Sequence, residues 1–155
     1  MKNLIGIDQK KSEILVVELN ELLANYQMFY QNLRGFHWNI KGKEFFELHL
    51  KFEEFYNDAV VKVDEIAERI LTLEGVPLHT FKDYLDVAKV ESAKDITEGH
   101  ECMRMTLVYF SILLQNERQI LSLASDADDE GTASLMSDYI SETEKTIWML
   151  KSYLG

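Results

Sequence analysis

The sequence predicts an all-α protein built from four long amphipathic helices, with a short extra helix between the second and the third. Three observations predict this fold class. Apolar residues recur at alternating spacings of three and four along four long segments, which is the period of one helix face. Only one proline, Pro77, occurs in 155 residues, so little interrupts those segments. A hydrophobic content of 46% is enough for one domain, residues 1–155, with a sizeable core.

The first predicted helix runs from about Ser12 to Asn39. Its apolar seam comprises Leu15, Leu19, Leu22, Tyr26, Phe29, Leu33 and Phe36. A seam of this length suits one rod of a helical bundle. Lys41-Gly42 is predicted to end the helix and turn the chain, because glycine is common just beyond a helix end.

The second predicted helix runs from Lys43 to Glu74, a stretch without proline or glycine. Its seam comprises Leu48, Phe52, Phe55, Ala59, Val63, Ile66, Ile70 and Leu73. Gly75-Val76-Pro77 ends it, because proline cannot continue a helix. The connection over residues 78–91 is too long for a simple loop. We therefore predict a short helix over His79–Asp86, with Phe81, Tyr84 and Leu85 packing against a neighbouring surface.

Two further long helices complete the prediction. Ser92 to Asp95 are predicted to cap the third, which runs to about Ser125. The last runs from about Thr132 to Tyr153. Their seams comprise Met103, Leu107, Phe110, Leu114, Leu121 and Ala124, then Met136, Ile140, Thr143, Ile147, Leu150 and Leu154. Glu117 interrupts the first of these seams, and a buried acid there needs a partner.

The second helix carries candidate metal ligands in two pairs. His49 and Glu53 are four residues apart, as are Asp64 and Glu68, so each pair points at one place. All four fall within an arc of about 100°, but about 28 Å of helix separates His49 from Glu68. No single metal is therefore shared by the two pairs within one chain.

The two pairs have the same midpoint, between Asp58 and Ala59. If two copies of the helix lie antiparallel about a two-fold axis there, His49 of one faces Glu68 of the other, and Glu53 faces Asp64. Ala59 at the axis is expected to let the backbones approach. Nitrogen plus carboxylate ligands favour iron, manganese or zinc. The Glu-x-x-His motif of di-iron bundles is absent. Acidic residues at this spacing are also common on solvated helix faces, so the residues alone leave both interpretations open.

The order of residues from the first helix end onward resembles the signature of the Dps family of ferritin-like miniferritins. The matching residues are His37-Trp38, Gly42, Phe45, His49, Glu53 and Asp64-Glu-Ile-Ala-Glu68-Arg69. The resemblance implies a ferritin-like four-helix bundle with a short helix between the second and third, assembled as a hollow dodecamer. It also implies a ferroxidase that oxidises Fe(II), with hydrogen peroxide in preference to oxygen, and stores Fe(III) mineral against oxidative stress.

The resemblance also implies a ligand set. His37, His49 and Glu53 are expected from one subunit and Asp64 and Glu68 from its mate, holding at most two iron ions per intersubunit site. Many members have Asp where this chain has Glu53, so the longer side chain is expected to alter the occupancy of the second iron. Trp38 lies beside the site, and its interception of stray radicals is a hypothesis motivated by that position.

The acidic segment Asp126–Gly131 is predicted to be an exposed turn that caps the last helix. Family members have acidic three-fold pores in this region, where carboxylates attract Fe(II). One position that is often Asp in the family is Ser134 here. Asp129, Glu130 or Asp138 is therefore expected to line the iron entry.

The net charge of −11, from 16 Lys and Arg against 27 Asp and Glu, opposes binding to phosphate backbones. DNA-binding family members often carry a long lysine-rich tail, and here we find only Lys2, Lys10 and Lys11 near the start. We expect DNA binding to be weak or absent. Two alternatives stay open: a nucleoid protein that compacts DNA, and a structural shell that has lost catalysis.

Several single residues receive structural interpretations. The one cysteine, Cys102, is predicted to be a core residue, and the lack of any possible intrachain disulfide favours a reducing cytoplasm. No signal peptide or membrane span is predicted. Trp148 is interpreted as a packing residue, His79 as a surface or interface residue without a metal role, and His100 as exposed near the start of the third long helix.

Overall fold

The computed structural model describes all 155 residues and contains five helices. They are α1 (Gln9–Asn39), α2 (Phe45–Thr72), α3 (Phe81–Val87), α4 (Gly99–Asp126) and α5 (Glu130–Leu154). No strand is present beyond two isolated bridges, Lys2 with Asp8 and Lys41 with Glu98. The long helices pack mainly as the pairs α1/α2 and α4/α5, with α1 also against α4 and the short α3 against α1. The predicted all-α bundle with a short helix between the second and third rods is confirmed. No helix is long and apolar enough to cross a bilayer.

Two helix starts follow from acidic caps. Asp8 accepts a hydrogen bond from the Lys11 backbone N–H, so α1 begins three residues before the predicted Ser12. The predicted start of the third long helix is wrong, because Ser92 to Asp95 lie in a loop. Glu98 caps α4 instead, and its carboxylate accepts from the backbone N–H groups of residues 100 and 101. Asp95 has a φ of 60°, which interrupts any helix at that point.

Two buried asparagines of α1 hold the loop that precedes α4. The Asn25 side-chain oxygen accepts from the backbone N–H groups of residues 89 and 90, and its amide nitrogen donates to Asn116 at 3.0 Å. Asn32 in the same way accepts from Ala93 N–H and donates to the Glu91 carbonyl. These bonds satisfy loop groups that would otherwise be buried without partners. Such side-chain bonds explain why an extended path here replaces the predicted helical turn.

The core follows the predicted seams, with one correction. Ala59 is fully buried inside its own bundle, between the seam residues Phe52 and Ile66 on the inner side of α2. Its predicted place at a contact between two copies is therefore wrong, because its seam position turns it away from the side that carries the ligands. Cys102 is buried as predicted, and desolvation raises the pKa of its thiol to about 12. A thiol with that pKa is unreactive at neutral pH.

Glu117 is the acid for which the sequence named no partner. It is fully buried in α4. Its carboxylate accepts hydrogen bonds from the hydroxyls of Thr143 in α5, at 2.9 Å, and Tyr26 in α1, at 3.4 Å. Burial raises the pKa of Glu117 to about 7, although the Thr143 bond and the charge of Lys62 act in the opposite direction. Glu117 thus ties three helices together and takes up a proton near neutral pH.

Replacing Glu117 with Gln should change how stability depends on pH. The carboxyl pKa rises on folding, so the native state binds the extra proton and the free energy of unfolding falls as pH rises from about 4.5 to about 7. At about 1.4 kcal/mol per pKa unit, wild type should lose on the order of 3 kcal/mol relative to Glu117→Gln between pH 4 and 8. Urea unfolding of both proteins at several pH values measures this. Parallel stability profiles would contradict the assignment.

Candidate metal centre

His37 and His49 form a stacked pair where α1 folds back onto α2. Their ring centroids are 3.7 Å apart, with an interplanar angle of 11°. His37 lies in the last turn of α1 and His49 in the first turns of α2. The turn that joins the helices contains Gly42, whose φ of 118° suits a residue without Cβ. Two side chains twelve residues apart are thereby brought into contact.

Reciprocal hydrogen bonds fix the orientation of both rings. The His37 Nδ1 lies 2.6 Å from the His49 carbonyl oxygen, and the His49 Nδ1 lies 2.7 Å from the His37 carbonyl oxygen. A carbonyl oxygen only accepts, so both Nδ1 atoms carry the proton. In the neutral imidazole each Nε2 then presents a lone pair. Metal-binding histidines are characteristically held by such a bond from the other ring nitrogen.

Aromatic neighbours hold the pair from both sides. Phe45 stacks on His49 at 4.9 Å between ring centroids, and the Tyr56 ring meets His37 edge-on at 5.4 Å. His37 itself is 8% exposed. Packing of this kind restricts the rotamers of both histidines, so their Nε2 atoms are already in position before any ligand arrives.

The three candidate carboxylates are not engaged within the chain. Glu53 is half-buried, Asp64 and Glu68 are exposed, and none of these side chains makes a hydrogen bond or ion pair. Three other acids of the same helix are paired: Lys51 binds Glu54, Lys62 binds Asp58 and Tyr139 donates to Glu65. The three carboxylates at the predicted ligand positions have no such partner within the chain.

No group of three or more His, Cys, Asp or Glu side chains within one chain is placed to hold a metal ion. The structure brings His37 and His49 together, with Glu53 one helical turn beyond His49. It leaves Asp64 and Glu68 farther along α2. A metal bound by three or more such side chains at this helix therefore needs ligands from another chain.

The side of α2 that carries Glu53, Asp64 and Glu68, here called its outer face, also exposes apolar side chains. These are Phe46, Leu50, Val60, Val61 and Leu71. About the midpoint between residues 58 and 59, a two-fold axis sets Phe46 opposite Leu71 and Asn57 opposite Val60. Exposed apolar side chains of this density on one face are typical of a protein contact surface. Val60, rather than the buried Ala59, is the small apolar residue nearest that axis.

Trp38 lies beside the histidine pair, 56% exposed. The Arg34 guanidinium stands 4.8 Å from the Trp38 ring and 5.1 Å from the Tyr30 ring. Tyr30 in turn meets Tyr56 edge-on at 5.8 Å. The sequence analysis missed Tyr30, Arg34 and Tyr56. The sequence could have predicted part of this arrangement, because residues 30, 34 and 38 are spaced by four and therefore lie on one side of α1.

The three candidate pore residues, Asp129 at the cap of α5 and two residues within α5, lie in different environments. Asp129 is buried, caps α5 through Thr132 N–H and binds the Arg69 guanidinium at 2.7 Å. Glu130 and Asp138 are exposed. Asp129 caps α5 as the sequence predicted, but its carboxylate is buried rather than exposed because it binds Arg69. The predicted iron entry now rests on Glu130 and Asp138.

Arg69, which follows Glu68, joins the end of α2 to the start of α5. Its Nε donates to the Thr132 hydroxyl at 2.8 Å. A Cβ at Gly131 would lie 2.7 Å from the guanidinium, so a larger residue there would have to displace the Arg69 side chain.

Removing the arginine as Arg69→Ala should destabilise the protein by on the order of 3 kcal/mol, because Asp129 would stay buried without its counter-charge. The double variant Arg69→Ala/Asp129→Asn should recover part of this loss, since the amide carries no charge but still caps α5. Chemical unfolding of the three proteins tests both statements. An equal loss in the single and double variants would show that the ion pair is not the cause.

Other predicted positions have mixed outcomes. Cys102 was placed correctly, and His79 is exposed. His100 is half-buried, with its ring against Tyr153 and its Nε2 3.0 Å from Glu44. Trp148 is 63% exposed, so within one chain it is not a packing residue. In α3, Tyr84 is buried but Phe81 and Leu85 project into solvent.

Comparison with known proteins agrees with this fold. The model of the ferritin-like domain family, Ferritin, matches residues 16–155. The crystal structure of a Dps protein from Vibrio cholerae O1, described as a member of a broad superfamily of ferritin-like diiron-carboxylate proteins, superposes with a TM-score of 0.97. It is 55% identical and the alignment covers 99% of this chain and 97% of that one. A Dps protein from Bacillus brevis superposes with a TM-score of 0.92 at 33% identity, over 100% of both chains.

A relative compared by sequence supports the same family assignment. The DNA protection during starvation protein of Porphyromonas gingivalis is 41% identical over 148 residues, which cover 96% of this chain and 93% of the relative. The fold and the family model that matches it define a ferritin-like protein. Within that class, the chain belongs to the Dps family, as its sequence signature predicted.

Proposed function

We propose that this protein is a ferroxidase and iron store that binds Fe(II) between two-fold-related subunits. His37, His49 and Glu53 of one subunit and Asp64 and Glu68 of its mate supply the ligands. The observation that carries the proposal is the histidine pair, whose Nδ1 atoms both bond to carbonyl oxygens and leave both Nε2 lone pairs free. Two such lone pairs beside unengaged carboxylates are a ligand set suited to iron.

The chemistry follows from the ligands. Two Fe(II) ions at one site supply two electrons to one hydrogen peroxide, which takes up two protons and leaves as two water molecules. No hydroxyl radical is released, because the O–O bond receives both electrons. The neutral histidines hold Fe(II), while three carboxylates add negative charge that favours Fe(III). Peroxide is the preferred oxidant over oxygen, and the Fe(III) product is stored as mineral inside a hollow dodecamer.

Iron reaches the site through a pore formed where acidic turns meet. Glu130 and Asp138 are the residues we assign to it, since both are exposed and the whole chain carries a net charge of −11. A ring of carboxylates concentrates divalent cations by focusing a negative potential.

Rapid mixing of iron-loaded protein with oxidant tests the ferroxidase. Metal-free protein is loaded with Fe(II) without oxygen, then mixed with peroxide or with air-saturated buffer while Fe(III) absorbance is followed. We expect fast oxidation by peroxide, slower oxidation by oxygen, and background rates for His37→Ala/His49→Ala. His79→Ala is the matched control, because its exposed ring lies outside the site. Oxidation that the double variant leaves unchanged would place the chemistry elsewhere.

Complementation between two inactive variants tests the division of the site between chains. One variant is His37→Ala/His49→Ala and the other is Asp64→Asn/Glu68→Gln. In a mixed dimer, one of the two sites combines intact histidines from the second with intact carboxylates from the first. Random co-assembly should therefore restore about a quarter of the wild-type sites, measured as fast Fe(II) oxidation. No recovery in verified mixed assemblies would contradict the intersubunit site.

DNA compaction is the alternative suggested by the relatives that are named for DNA protection. The charge of −11 opposes it. We expect no retardation of duplex DNA in a gel-shift assay at physiological salt, and no change on replacing Lys2 and Lys10 with Gln. Retardation that weakens steeply with salt would instead indicate phosphate contacts and would revive the nucleoid role. The other alternative, a shell without catalysis, is disfavoured because all five ligand positions keep side chains able to bind iron.

A further inference from the structure

The four long helices do not pack equally closely on one another. The backbone of α1 lies close to α2 and α4, and that of α4 lies close to α5, but α2 and α5 are not a closely packed pair. Two cavities, of about 210 Å³ and about 200 Å³, lie along the space between α2 and α5, which we call the α2/α5 groove. Side chains that cross this groove therefore help to hold α2 to α5.

Lys62 of α2 crosses the groove near its middle. Its ammonium lies 2.9 Å from the carboxylate of Glu142 in α5 and also binds Asp58, one turn earlier in α2. The Lys62 side chain is 8% exposed, whereas each of the two carboxylate side chains is 60% exposed. The lysine thus lies inside the groove, beneath two acids that face solvent. We call the contact between Lys62 and Glu142 the Lys62 bridge.

Glu117 lies in the core behind this bridge. It is fully buried in α4, and the hydroxyl of Thr143, the residue after Glu142, donates to it at 2.9 Å. The charge of Lys62 lowers the pKa of Glu117, and the charge of Glu142 raises it, so both members of the bridge act on the buried acid. Burial has the larger effect and raises this pKa to about 7.

Only one cation is present among the groups that face Glu117 and its hydrogen-bond partners. One titratable or charged group comes from α1, two from α2 and two from α5: Tyr26, Asp58, Lys62, Tyr139 and Glu142. The Lys62 ammonium stands 5.2 Å from the ring centroid of Tyr139, which in turn meets the Tyr26 ring edge-on. Lys62 is therefore the counter-charge available to Glu117.

The core acid and the surface acids compete for this one ammonium. When Glu117 is protonated it is neutral, and only Asp58 and Glu142 attract Lys62. When Glu117 is ionised, its buried carboxylate is costly without an opposite charge beside it. The four-carbon stem of lysine is flexible, so its ammonium can turn from the groove toward the core.

We propose that ionisation of Glu117 draws the Lys62 ammonium away from Glu142, so that a proton in the core controls the bridge between α2 and α5. The bridge is formed while Glu117 is protonated and weakens as pH rises through about 7. The helix released in this way is the one that carries Glu53, Asp64 and Glu68. The inference needs no metal ion and does not depend on the proposed ferroxidase.

A double-mutant cycle at two pH values tests the proposal. Lys62→Met, Glu142→Gln and the double variant are unfolded with urea at about pH 5.5 and about pH 8.5, and the coupling free energy between the two residues is calculated. We expect the coupling to fall at least about twofold at the higher pH, because Lys62 then interacts with Glu117. An ion pair of fixed geometry would keep the same coupling, and that result would overturn the proposal.

Two controls show whether Glu117 is the cause. In a Glu117→Gln background, the coupling between Lys62 and Glu142 should be the same at both pH values, because glutamine does not ionise. The exposed pair of Lys51 and Glu54, also on α2, should show no dependence on Glu117. An equal fall in the Glu117→Gln background would also overturn the proposal.

Infrared spectroscopy of the folded protein provides a second measurement that does not depend on unfolding. The carbonyl stretch of protonated Glu117 is identified as the band that Glu117→Gln lacks, and its loss is followed as pH rises. Lys62→Met should move this loss to higher pH, and Glu142→Gln, which leaves Lys62 to the core acid, should move it to lower pH. The control Lys51→Met should match wild type. If neither groove variant moves the titration, Lys62 does not reach Glu117 and the proposal fails.

Discussion

The bond on which the site depends is the reciprocal one between His37 and His49. Each imidazole donates to the backbone carbonyl of the other residue, so the same two contacts join α1 to α2 and set both tautomers. Separating the helix ends would break both bonds and release both imidazole rings from their present orientation. The two hydrogen bonds that pack α1 on α2 therefore also orient both histidine rings.

The straightness of α2 imposes the second constraint. A helix of 28 residues carries one half of the proposed metal site near each end and cannot fold back to join them. The proposed ligands have no other partners while Glu54 and Asp58 are paired, and apolar side chains accompany them on the outer face. Together, the unpaired carboxylates and the exposed apolar side chains make this face of α2 suited to contact with a second copy of the chain.

Sequence reasoning succeeded where a feature depends on local periodicity. The seams predicted the four long helices and most of the core, and the length of the connection predicted α3. The two half-sites, inferred from the spacing of His49, Glu53, Asp64 and Glu68, stay a prediction. Sequence reasoning failed where a distant side chain decides the outcome. The path of the loop before α4 depends on Asn25 and Asn32 of α1, and the burial of Asp129 depends on Arg69, 60 residues earlier. Likewise, the position of Arg34 between two rings is a matter of rotamers, which residue spacing does not determine.

The symmetry of α2 has a consequence for how the family can vary. One residue inserted between Glu53 and Asp64 would rotate the second half-site by about 100° around the helix axis. Because each chain would contribute to both proposed sites of a pair, that single change would disrupt two metal centres at once. A substitution changes one side chain at a time, whereas an insertion or deletion between the half-sites changes the position of every ligand beyond it. The number of residues between the half-sites therefore decides whether the proposed ligands of two chains can meet.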